Sequence, residues 1–316
     1  MRIGFPGNVQ SICACCTCTC IHIPNVAVYD IHDDMTASAS VAIVTGGNSG
    51  MGMGIVRKLV EKGWKVAIAD ISENKAFAEE LGDASSYHCC DVADYDSQAE
   101  AFQQVWNQYG RIDAFCANAG IVDKSSIYIF EHRNSDKIPP KPDLSCTDID
   151  YKGVVYGTQL AIHFMRKNKV PGGKIVATAS VAAIVPHESY PEYDGAKAAV
   201  VNFVRATARI LKDKENITIN AICPGIVQTS IIPQEMVDAV SPECLTPISN
   251  VVSAYERFLD DDSLYGRVLE CSAEKQFFLE PPALANGYVS RRAVTVWDPL
   301  FQACHKENSG LSDAIP

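Results

Sequence analysis

The stretch at residues 41–63 reads "VAIVTGGNSGMGMGIVRKLVEKG" and carries the main signal for the fold. It opens with a β-branched apolar run that predicts a buried strand, and from Gly52 onward it has the apolar spacing of an amphipathic helix. Gly46, Gly50 and Gly52 stand between the two with the spacing GxxxGxG. Glycines at such a junction let the backbone approach a pyrophosphate, which the positive end of the helix also attracts. Because a strand precedes the glycines and a helix follows, the stretch predicts a dinucleotide-binding loop.

The same alternation of apolar strands and amphipathic helices continues to "ITINAICPG", residues 217–225. Such a pattern calls for a parallel sheet covered by helices on both faces. We therefore predict a single doubly wound α/β domain over residues 41–316. The ranges 121–149 and 228–290 fit the alternation badly, and we interpret them as insertions of loops and short helices around the sheet edge, where substrate usually binds.

The first 40 residues carry a cysteine cluster, "ICACCTCTC" at residues 12–20. Its CxCC and CxC spacings lack the separated CxxC pairs of zinc sites, so no metal is predicted. Threonines and Pro24 interrupt any secretory signal. We interpret residues 1–40 as a disordered extension or as the product of a start site that the mature protein does not use. The remaining cysteines are scattered, as in reduced cytosolic proteins.

Charge and hydropathy exclude two classes of partner. Asp and Glu outnumber Lys and Arg by 38 to 27, the formal net charge is −11, and no basic run is present to bind nucleic acid. No apolar run reaches the roughly 18 to 20 residues that a bilayer requires. We therefore expect a soluble, cytoplasmic protein that acts on a small molecule, without nucleic-acid or membrane partners.

The end of the second predicted strand suggests which dinucleotide is bound. Asp70 stands where a carboxylate would accept hydrogen bonds from the adenosine ribose and repel a 2′-phosphate, and Ile71 follows it instead of an arginine. This favours NAD over NADP, although NADP stays open. The alternative is that Asp70 only caps a helix that begins near Ser72. Arg57 and Lys58 are interpreted as a solvated helix face.

The stretch "YDGAK", residues 193–197, holds a candidate acid/base. Tyr193 and Lys197 are four residues apart and share a helix face, whereas Tyr190 is better assigned to the substrate wall or to packing. Ser180 ends a predicted strand 13 residues before Tyr193. A lysine ammonium nearby would lower the phenol pKa from about 10 by roughly 1 to 3 units, which would make Tyr193 a usable acid/base. An ordinary tyrosine and lysine on one helix is the alternative.

Six motifs together resemble those of a classical short-chain dehydrogenase/reductase, in the order typical of that family, over residues 41 to about 230. They are "TGGNSGMG", "CDV", "ANAG", Ser180, "YDGAK" and "NAICPGIVQT". The resemblance implies a Rossmann domain and NAD(P)-dependent interconversion of an alcohol and a ketone. It also implies that Tyr193 moves the proton, that Ser180 holds the substrate oxygen and that Lys197 binds the nicotinamide ribose. A homodimer or homotetramer is expected by resemblance.

The resemblance further implies a set of cofactor contacts. Asn118 could instead tie strands together, and Pro224 with Gly225 could form only a turn. The implied cofactor-binding residues are Gly46, Asn48, Ser49, Gly50, Met51, Gly52, Asp70, Ile71, Asp91, Val92, Asn118, Ala119, Gly120, Tyr193, Lys197, Pro224, Gly225, Val227 and Thr229.

One position departs from the family pattern. Where the family usually has an asparagine before the serine strand, this chain reads "DIDYKG", which puts Asp150 at that position. In the family the asparagine helps to relay protons, largely through its backbone carbonyl, so an aspartate could preserve the relay. It could also place a carboxylate near Lys197 and change the effect of the lysine on Tyr193. We therefore include Asp150 among the candidate catalytic residues.

The segment after Thr229 suggests the substrate class. It has an apolar side and no arginine cluster, which favours a lipophilic alcohol or ketone, although the same residues could simply pack on the core. The loops look similar to those of fungal 15-hydroxyprostaglandin dehydrogenase-like proteins, some of which serve terpenoid or polyketide biosynthesis. The alternative function is a dinucleotide-binding regulator without turnover. The apolar residues of the segment are Ile231, Ile232, Met236, Val237 and Val240.

Overall fold

The computed structural model describes residues 39–316, which form one compact α/β unit. The predicted extension over residues 1–40 therefore lies outside the described residues, except for its last two positions. In the described part the strands of the sheet are β1 Val41–Thr45, β2 Lys65–Asp70, β3 Ser85–Cys89, β4 Ala114–Ala117, β5 Gly173–Thr178, β6 Ile217–Pro224, β7 Val268–Ser272 and β8 Lys275–Phe278.

These strands form one sheet in the order β3-β2-β1-β4-β5-β6-β7-β8. All neighbours pair in parallel except β7 with β8, which are antiparallel. The strand order reverses between β1 and β4, and crevices at such switch points are where α/β proteins bind ligands. The prediction of a doubly wound α/β domain is confirmed.

Helices join the strands and cover both faces of the sheet. Short 3-10 turns occur at Gly82–Ala84, Phe130–His132, Val181–Ala183 and Pro242–Cys244, and a π-helical turn, Asp148–Lys152, leads into α5. The α-helices of the described part are α1 Gly50–Glu61, α2 Lys75–Leu81, α3 Tyr95–Tyr109, α4 Ser145–Thr147, α5 Gly153–Met165, α6 Pro191–Glu215, α7 Gln234–Ala239, α8 Ile248–Asp260, α9 Gly287–Ala293 and α10 Asp298–His305.

Alternate side chains of the strands feed two separate cores. On one face Ile43 and Phe115 pack with apolar residues of α3, α5 and α6. On the other face Val44 packs with residues of α1 and α8, including the fully buried Phe258. Burial of each large side chain contributes on the order of 2 kcal/mol. The two cores thus cover the opposite faces of the sheet.

The structure of residues 228–290 differs from the insertion that we infer from the sequence. Its middle part forms α8, which packs against α1, and then β7 and β8, which extend the sheet. The apolar positions Val251, Val252, Tyr255, Phe258 and Leu259 follow the spacing of an amphipathic helix, so the signal was present in the sequence. The range 121–149 has little regular structure before α4.

Three further observations apply to residues 39–316. The eight cysteines of this part are free thiols. No group of three or more His, Cys, Asp or Glu side chains in this part is arranged as metal ligands would be. None of its helices combines the length and the apolar character needed to cross a membrane.

Candidate active site

Two adjoining clefts open at the carboxyl ends of the central strands. The first lies beside the glycine loop and the ends of β2 and β3, and the second lies over the end of β5 and the start of α6. Met51, Asn118, Gly120 and Thr229 line both clefts, so a ligand as long as a dinucleotide could extend from one into the other.

The glycine loop forms a cradle that side chains would fill. Gly46 and Gly50 have φ angles of 62° and 46°, a region that glycine adopts without strain. A Cβ on Gly52 would lie 2.0 Å from the carbonyl oxygen of Gly46, and one on Gly50 would lie 2.9 Å from Thr229 Cγ2. The first turn of α1 carries no acidic residue. The cradle therefore fits the pyrophosphate of a dinucleotide.

Asp70 lies at the rim of the first cleft, next to the loop. Its Oδ2 accepts a hydrogen bond from the backbone N–H of Asn48 at 3.1 Å, and its Oδ1 accepts one from Ser72 N–H at 3.3 Å. The helix that follows begins at Lys75 and is capped by Asn74, whose side chain accepts from Phe77 N–H. Asp70 is therefore not the cap of this helix, and it lines the first cleft.

The nearest arginine on α1 already has a partner. Arg57 donates to both carboxylate oxygens of Glu80 at 2.6 and 2.9 Å. The Nζ atom of Lys58 lies 3.5 Å from Glu61 Oε2 and 3.7 Å from Glu256 Oε1. These contacts agree with the interpretation of Arg57 and Lys58 as a helix face that does not bind phosphate.

Most predicted cofactor residues line the clefts, but two do not. Asn48 braces the loop, since its side-chain amide donates to the carbonyl of Ser72 at 2.6 Å, and Gly52 packs against Gly46. The first cleft is lined by Gly46, Ser49, Gly50, Met51, Asp70, Ile71, Asp91, Val92, Asn118, Ala119, Gly120 and Thr229. The second is lined by Ser180, Tyr193, Lys197, Pro224, Gly225 and Val227, together with the residues it shares with the first.

Asn118 has both of the roles considered for it. Its side-chain amide donates to the carbonyls of Thr45 at 3.2 Å and Gly46 at 3.4 Å. The hydroxyl of Thr45 in turn accepts hydrogen bonds from the backbone N–H groups of Asn118 and Ala119. Asn118 thus ties β4 to β1 and also lines both clefts.

The second cleft brings Ser180, Tyr193 and Lys197 together. Ser180 follows β5, and its hydroxyl oxygen accepts a hydrogen bond from Ala182 N–H at 3.1 Å, which leaves its proton free to be donated. Tyr193 and Lys197 lie in the first turns of α6, with Lys197 Nζ 5.6 Å from the centre of the Tyr193 ring. The structure thus brings these three predicted side chains to one cleft.

Asp150 enters this cluster as a fully buried carboxylate. The π-helical turn points it inward, where Oδ2 lies 3.0 Å from Lys197 Nζ and Oδ1 accepts from Ile121 N–H at 2.9 Å. Burial raises the pKa of Asp150, and Lys197 offsets part of that rise. Burial also acts to lower the pKa of Lys197, but the charges of Asp150 and Tyr193 raise it above its ordinary value. The lysine is thus paired with a carboxylate inside the protein.

The expected lowering of the Tyr193 pKa is wrong for this structure. Burial raises the pKa of the phenol, and this exceeds the lowering by Lys197 and by hydrogen bonding with Ser180. Asp150 raises it further, because its negative charge opposes that of a phenolate. The four-residue spacing predicted a lysine near Tyr193, and the departure at Asp150 raised the prospect of a carboxylate near that lysine. The sequence did not show that burial would outweigh the effect of the lysine on the pKa of the phenol.

Asp123 is a site residue that sequence reasoning missed. Its two carboxylate oxygens accept hydrogen bonds from the backbone N–H groups of Tyr193 at 2.7 Å and Glu192 at 3.1 Å. An acidic side chain at a helix N-terminus satisfies unpaired donors and complements the helix dipole. Asp123 belongs to the irregular range 121–149, and no local pattern links it to a helix 70 residues later.

Only some of the apolar residues after Thr229 line the second cleft. Ile231, Ile232 and Met236 line the second cleft, whereas Val237 is buried and Val240 is not part of the lining. Tyr190 lines the cleft and stacks on His187, with ring centres 5.4 Å apart.

Comparison with known proteins adds to this geometry. The family profile described as short chain dehydrogenase matches residues 40–238. The short-chain dehydrogenase/reductase prx6 of Penicillium rubens is 51% identical over 290 residues, covering 87% of this chain and 97% of the relative. The human 15-hydroxyprostaglandin dehydrogenase [NAD(+)] is 28% identical over 265 residues, covering 81% of this chain and 87% of the relative.

Among solved structures, a 3-ketoacyl-(acyl-carrier-protein) reductase from Brucella melitensis, crystallised with NADH, is similar in fold. The TM-score is 0.64 at 23% identity, with 74% of this chain and 96% of that chain covered. At this level of identity the likeness concerns the fold alone.

Proposed function

The chain belongs to the short-chain dehydrogenase/reductase family of oxidoreductases, and on that premise we propose that it interconverts a secondary alcohol and a ketone on a lipophilic small molecule, with NAD as the cofactor. The observation that carries the proposal is the meeting of Ser180, Tyr193 and Lys197 in one cleft that adjoins the glycine cradle.

Each polar side chain of the cluster has a task in this proposal. Ser180 donates its hydroxyl proton to the substrate oxygen. Tyr193 exchanges a proton with that oxygen as general acid or base. Lys197 holds the ribose next to the nicotinamide, and Asp150 balances the charge of the buried lysine. NAD, when bound, would accept the hydride from the alcohol carbon.

The raised pKa of Tyr193 gives the proposal a pH dependence. The phenol is protonated near neutral pH, so it is ready to donate a proton to a ketone. Alcohol oxidation requires the phenolate instead. We therefore expect oxidation to become faster as the pH rises toward the pKa of Tyr193.

The preference for NAD rests on Asp70. Its carboxylate lies where an adenosine ribose would extend, and it would repel a 2′-phosphate. The adjacent Ile71 is 72% exposed and supplies no positive charge, while Arg57 is paired with Glu80. The human relative described above carries NAD(+) in its name, which supports the same preference.

The substrate class rests on the wall of the second cleft. Ile121, Val181, Ile226, Ile232 and Met236 surround the space above Ser180 with apolar surface. Terpenoid and polyketide skeletons present secondary alcohols of the apolar kind that such a wall would accept. Assembly as a homodimer or homotetramer and a cytoplasmic location stay predictions.

The test is incubation of the protein with NAD and a panel of secondary alcohols, followed by absorbance of NADH. Apolar alcohols should reduce NAD, and Tyr193→Phe should lower turnover roughly 100- to 10,000-fold while NADH binding persists. If only sugars or amino alcohols were oxidised, the lipophilic substrate class would be wrong.

A second candidate function is a dinucleotide-binding regulator without turnover. The buried pairing of Lys197 with Asp150 favours it, because it weakens the influence of the lysine on Tyr193. A regulator would bind NADH but oxidise no alcohol in the panel, and its signalling would be unchanged by Tyr193→Phe.

A further inference from the structure

A pair of buried hydroxyl groups lies beneath the catalytic cluster. The phenol oxygen of Tyr255, on α8, lies 2.6 Å from the hydroxyl oxygen of Thr178 at the end of β5. Tyr255 is 1% exposed and Thr178 is 4% exposed. Burial of a phenol in an apolar core costs free energy unless the phenol is hydrogen-bonded, and the contact with Thr178 supplies that hydrogen bond. The question is why a hydroxyl pair is kept at this position.

The partners of this pair determine which hydroxyl donates and which accepts. The side-chain amide of Asn118 donates to the carbonyls of Thr45 and Gly46, so its oxygen is the acceptor. Thr178 donates to that oxygen at 3.3 Å. The proton of Thr178 is thereby used, and Tyr255 must donate to Thr178. The chain of donors therefore runs from α8 through β5 to the glycine loop.

Thr178 also contacts the catalytic lysine through its backbone. Its carbonyl oxygen accepts a hydrogen bond from Lys197 Nζ at 2.9 Å, and the same Nζ contacts Asp150 Oδ2 at 3.0 Å. Tyr255 belongs to the core that contains α1 and α8, whereas Lys197 extends from α6 on the other face of the sheet. Thr178 is thus held by Tyr255 from one face while it holds Lys197 on the other.

We propose that Tyr255 is a positioning residue of the active site, which acts through Thr178 on Lys197 and Asn118. The inference rests on the proposed function, because its kinetic consequence requires turnover. Without the phenol proton, the Thr178 hydroxyl can turn away from Asn118, and the end of β5 gains freedom. The carbonyl acceptor of Lys197 is then held less firmly, so the distance of Lys197 from Tyr193 is set less tightly although Asp150 still pairs with the lysine. The titratable groups that face Lys197 are Asp150, Tyr193 and Cys146.

The test compares Tyr255→Phe, Thr178→Val and Thr178→Ser with a matched control, Thr218→Val. Thr218 is a buried threonine of β6 whose hydroxyl has no hydrogen-bond partner in the structure. Tyr255→Phe and Thr178→Val should lower kcat roughly tenfold and shift its pH profile, with a smaller effect on KM. Thr178→Ser keeps the hydroxyl and should lose less than Thr178→Val. Thr218→Val should change neither kcat nor the pH profile.

A measurement that needs no turnover keeps the inference separate from the proposed function. The titration of Lys197 can be followed by NMR of the protein labelled with 13C at the lysine ε-carbon, with the signal assigned by its loss in Lys197→Met. Tyr255→Phe should displace this signal and its titration. If the wild-type protein oxidised no alcohol, the proposed function would fail, and this titration would still decide the inference.

Two outcomes would overturn the inference. One is a Tyr255→Phe variant with a lower melting temperature but the wild-type kcat, pH profile and Lys197 titration, which is what a purely structural hydroxyl pair predicts. The other is a Thr178→Ser variant as impaired as Thr178→Val. Should Tyr255→Phe fail to fold, the comparison of the two Thr178 variants decides alone.

Discussion

The glycine cradle and the catalytic cluster lie at the same edge of the sheet but are built from different materials. The cradle uses backbone, and its fit depends on the absence of side chains at Gly46, Gly50 and Gly52. The cluster uses buried charge, with Asp150 and Lys197 brought to 3.0 Å from separate elements. Cofactor binding by the cradle is therefore sensitive to added side-chain volume. Proton transfer in the cluster is sensitive to added or removed charge.

This difference explains why the conformation of the cradle can be predicted from the sequence, whereas the ionisation of the cluster cannot. Backbone conformation over eight neighbouring residues leaves a local pattern, because only glycine fits. The ionisation of Tyr193 depends on groups from other segments, which leave no local pattern. The predictions below test whether volume and charge are the controlling quantities.

The largest effect is expected from Gly52→Ala. Its Cβ would lie 2.0 Å from the carbonyl oxygen of Gly46, so the loop must shift. We expect the affinity for NADH, measured by calorimetry, to fall roughly 100-fold, which corresponds to about 3 kcal/mol. Gly195→Ala is the matched control, since nothing lies within 4 Å of the added methyl. Wild-type affinity in Gly52→Ala would show that volume does not control the cradle.

The second prediction concerns the negative charge of Asp70 at the rim of the first cleft. The wild-type protein should prefer NAD over NADP by about tenfold or more in kcat/KM, and Asp70→Ala with Ile71→Arg should reduce that ratio by about tenfold or more. The physical reason is removal of a negative charge, and gain of a positive one, beside the 2′-phosphate. Ile71→Gln serves as the uncharged control. An unchanged ratio in the double variant would mean that Asp70 does not set the preference.

The third prediction concerns the charge within the cluster. Asp150→Asn should fold, because the amide oxygen can still accept from Ile121 N–H. Asp150 raises the pKa of Tyr193, so its removal should lower that pKa and move the rising limb of alcohol oxidation to lower pH. We therefore expect kcat for alcohol oxidation at neutral pH to rise about threefold to tenfold.

Asp148→Asn is the control for this variant, because the Asp148 side chain is half-exposed and its Oδ1 lies 2.8 Å from Lys152 Nζ. It should leave the pH profile in place. Complete loss of activity in a folded Asp150→Asn protein would show that the carboxylate itself is indispensable, against our expectation.

The smallest effect is expected from Asp123→Asn. The amide has one acceptor oxygen in place of two, so the N–H groups of Tyr193 and Glu192 compete for it. Loss of such a cap costs about 1 kcal/mol, which corresponds to roughly 2 to 4 °C in melting temperature. Because the cap holds the first turn of α6, kcat should fall about twofold to fivefold.

Asp136→Asn, at an exposed position of the same irregular range, is the control and should change neither quantity. A loss of stability in Asp123→Asn without any loss of kcat would limit Asp123 to a structural role.

Sequence reasoning reached some parts of the fold and missed others for identifiable reasons. Strands that are buried on both faces form continuous apolar runs, so β1, β2 and β6 were clear. The helix α8 was missed although its apolar spacing was regular, because the range around it contains prolines and loops. In the second cleft, the apolar pattern could not separate Met236, which lines the cleft, from Val237, which packs in the core.

The sequence alone was enough to predict the doubly wound fold, the position of the glycine loop and the shared helix face of Tyr193 and Lys197. Each of these follows from spacing along one strand, one turn or one helix face. Only the tertiary structure decided the electrostatics of the site. It paired Lys197 with Asp150, placed Asp123 at the start of α6 and set Tyr255 beneath Thr178. The energy of a charge depends on its distance from every other charge and on its burial, and both quantities exist only once distant segments have packed together.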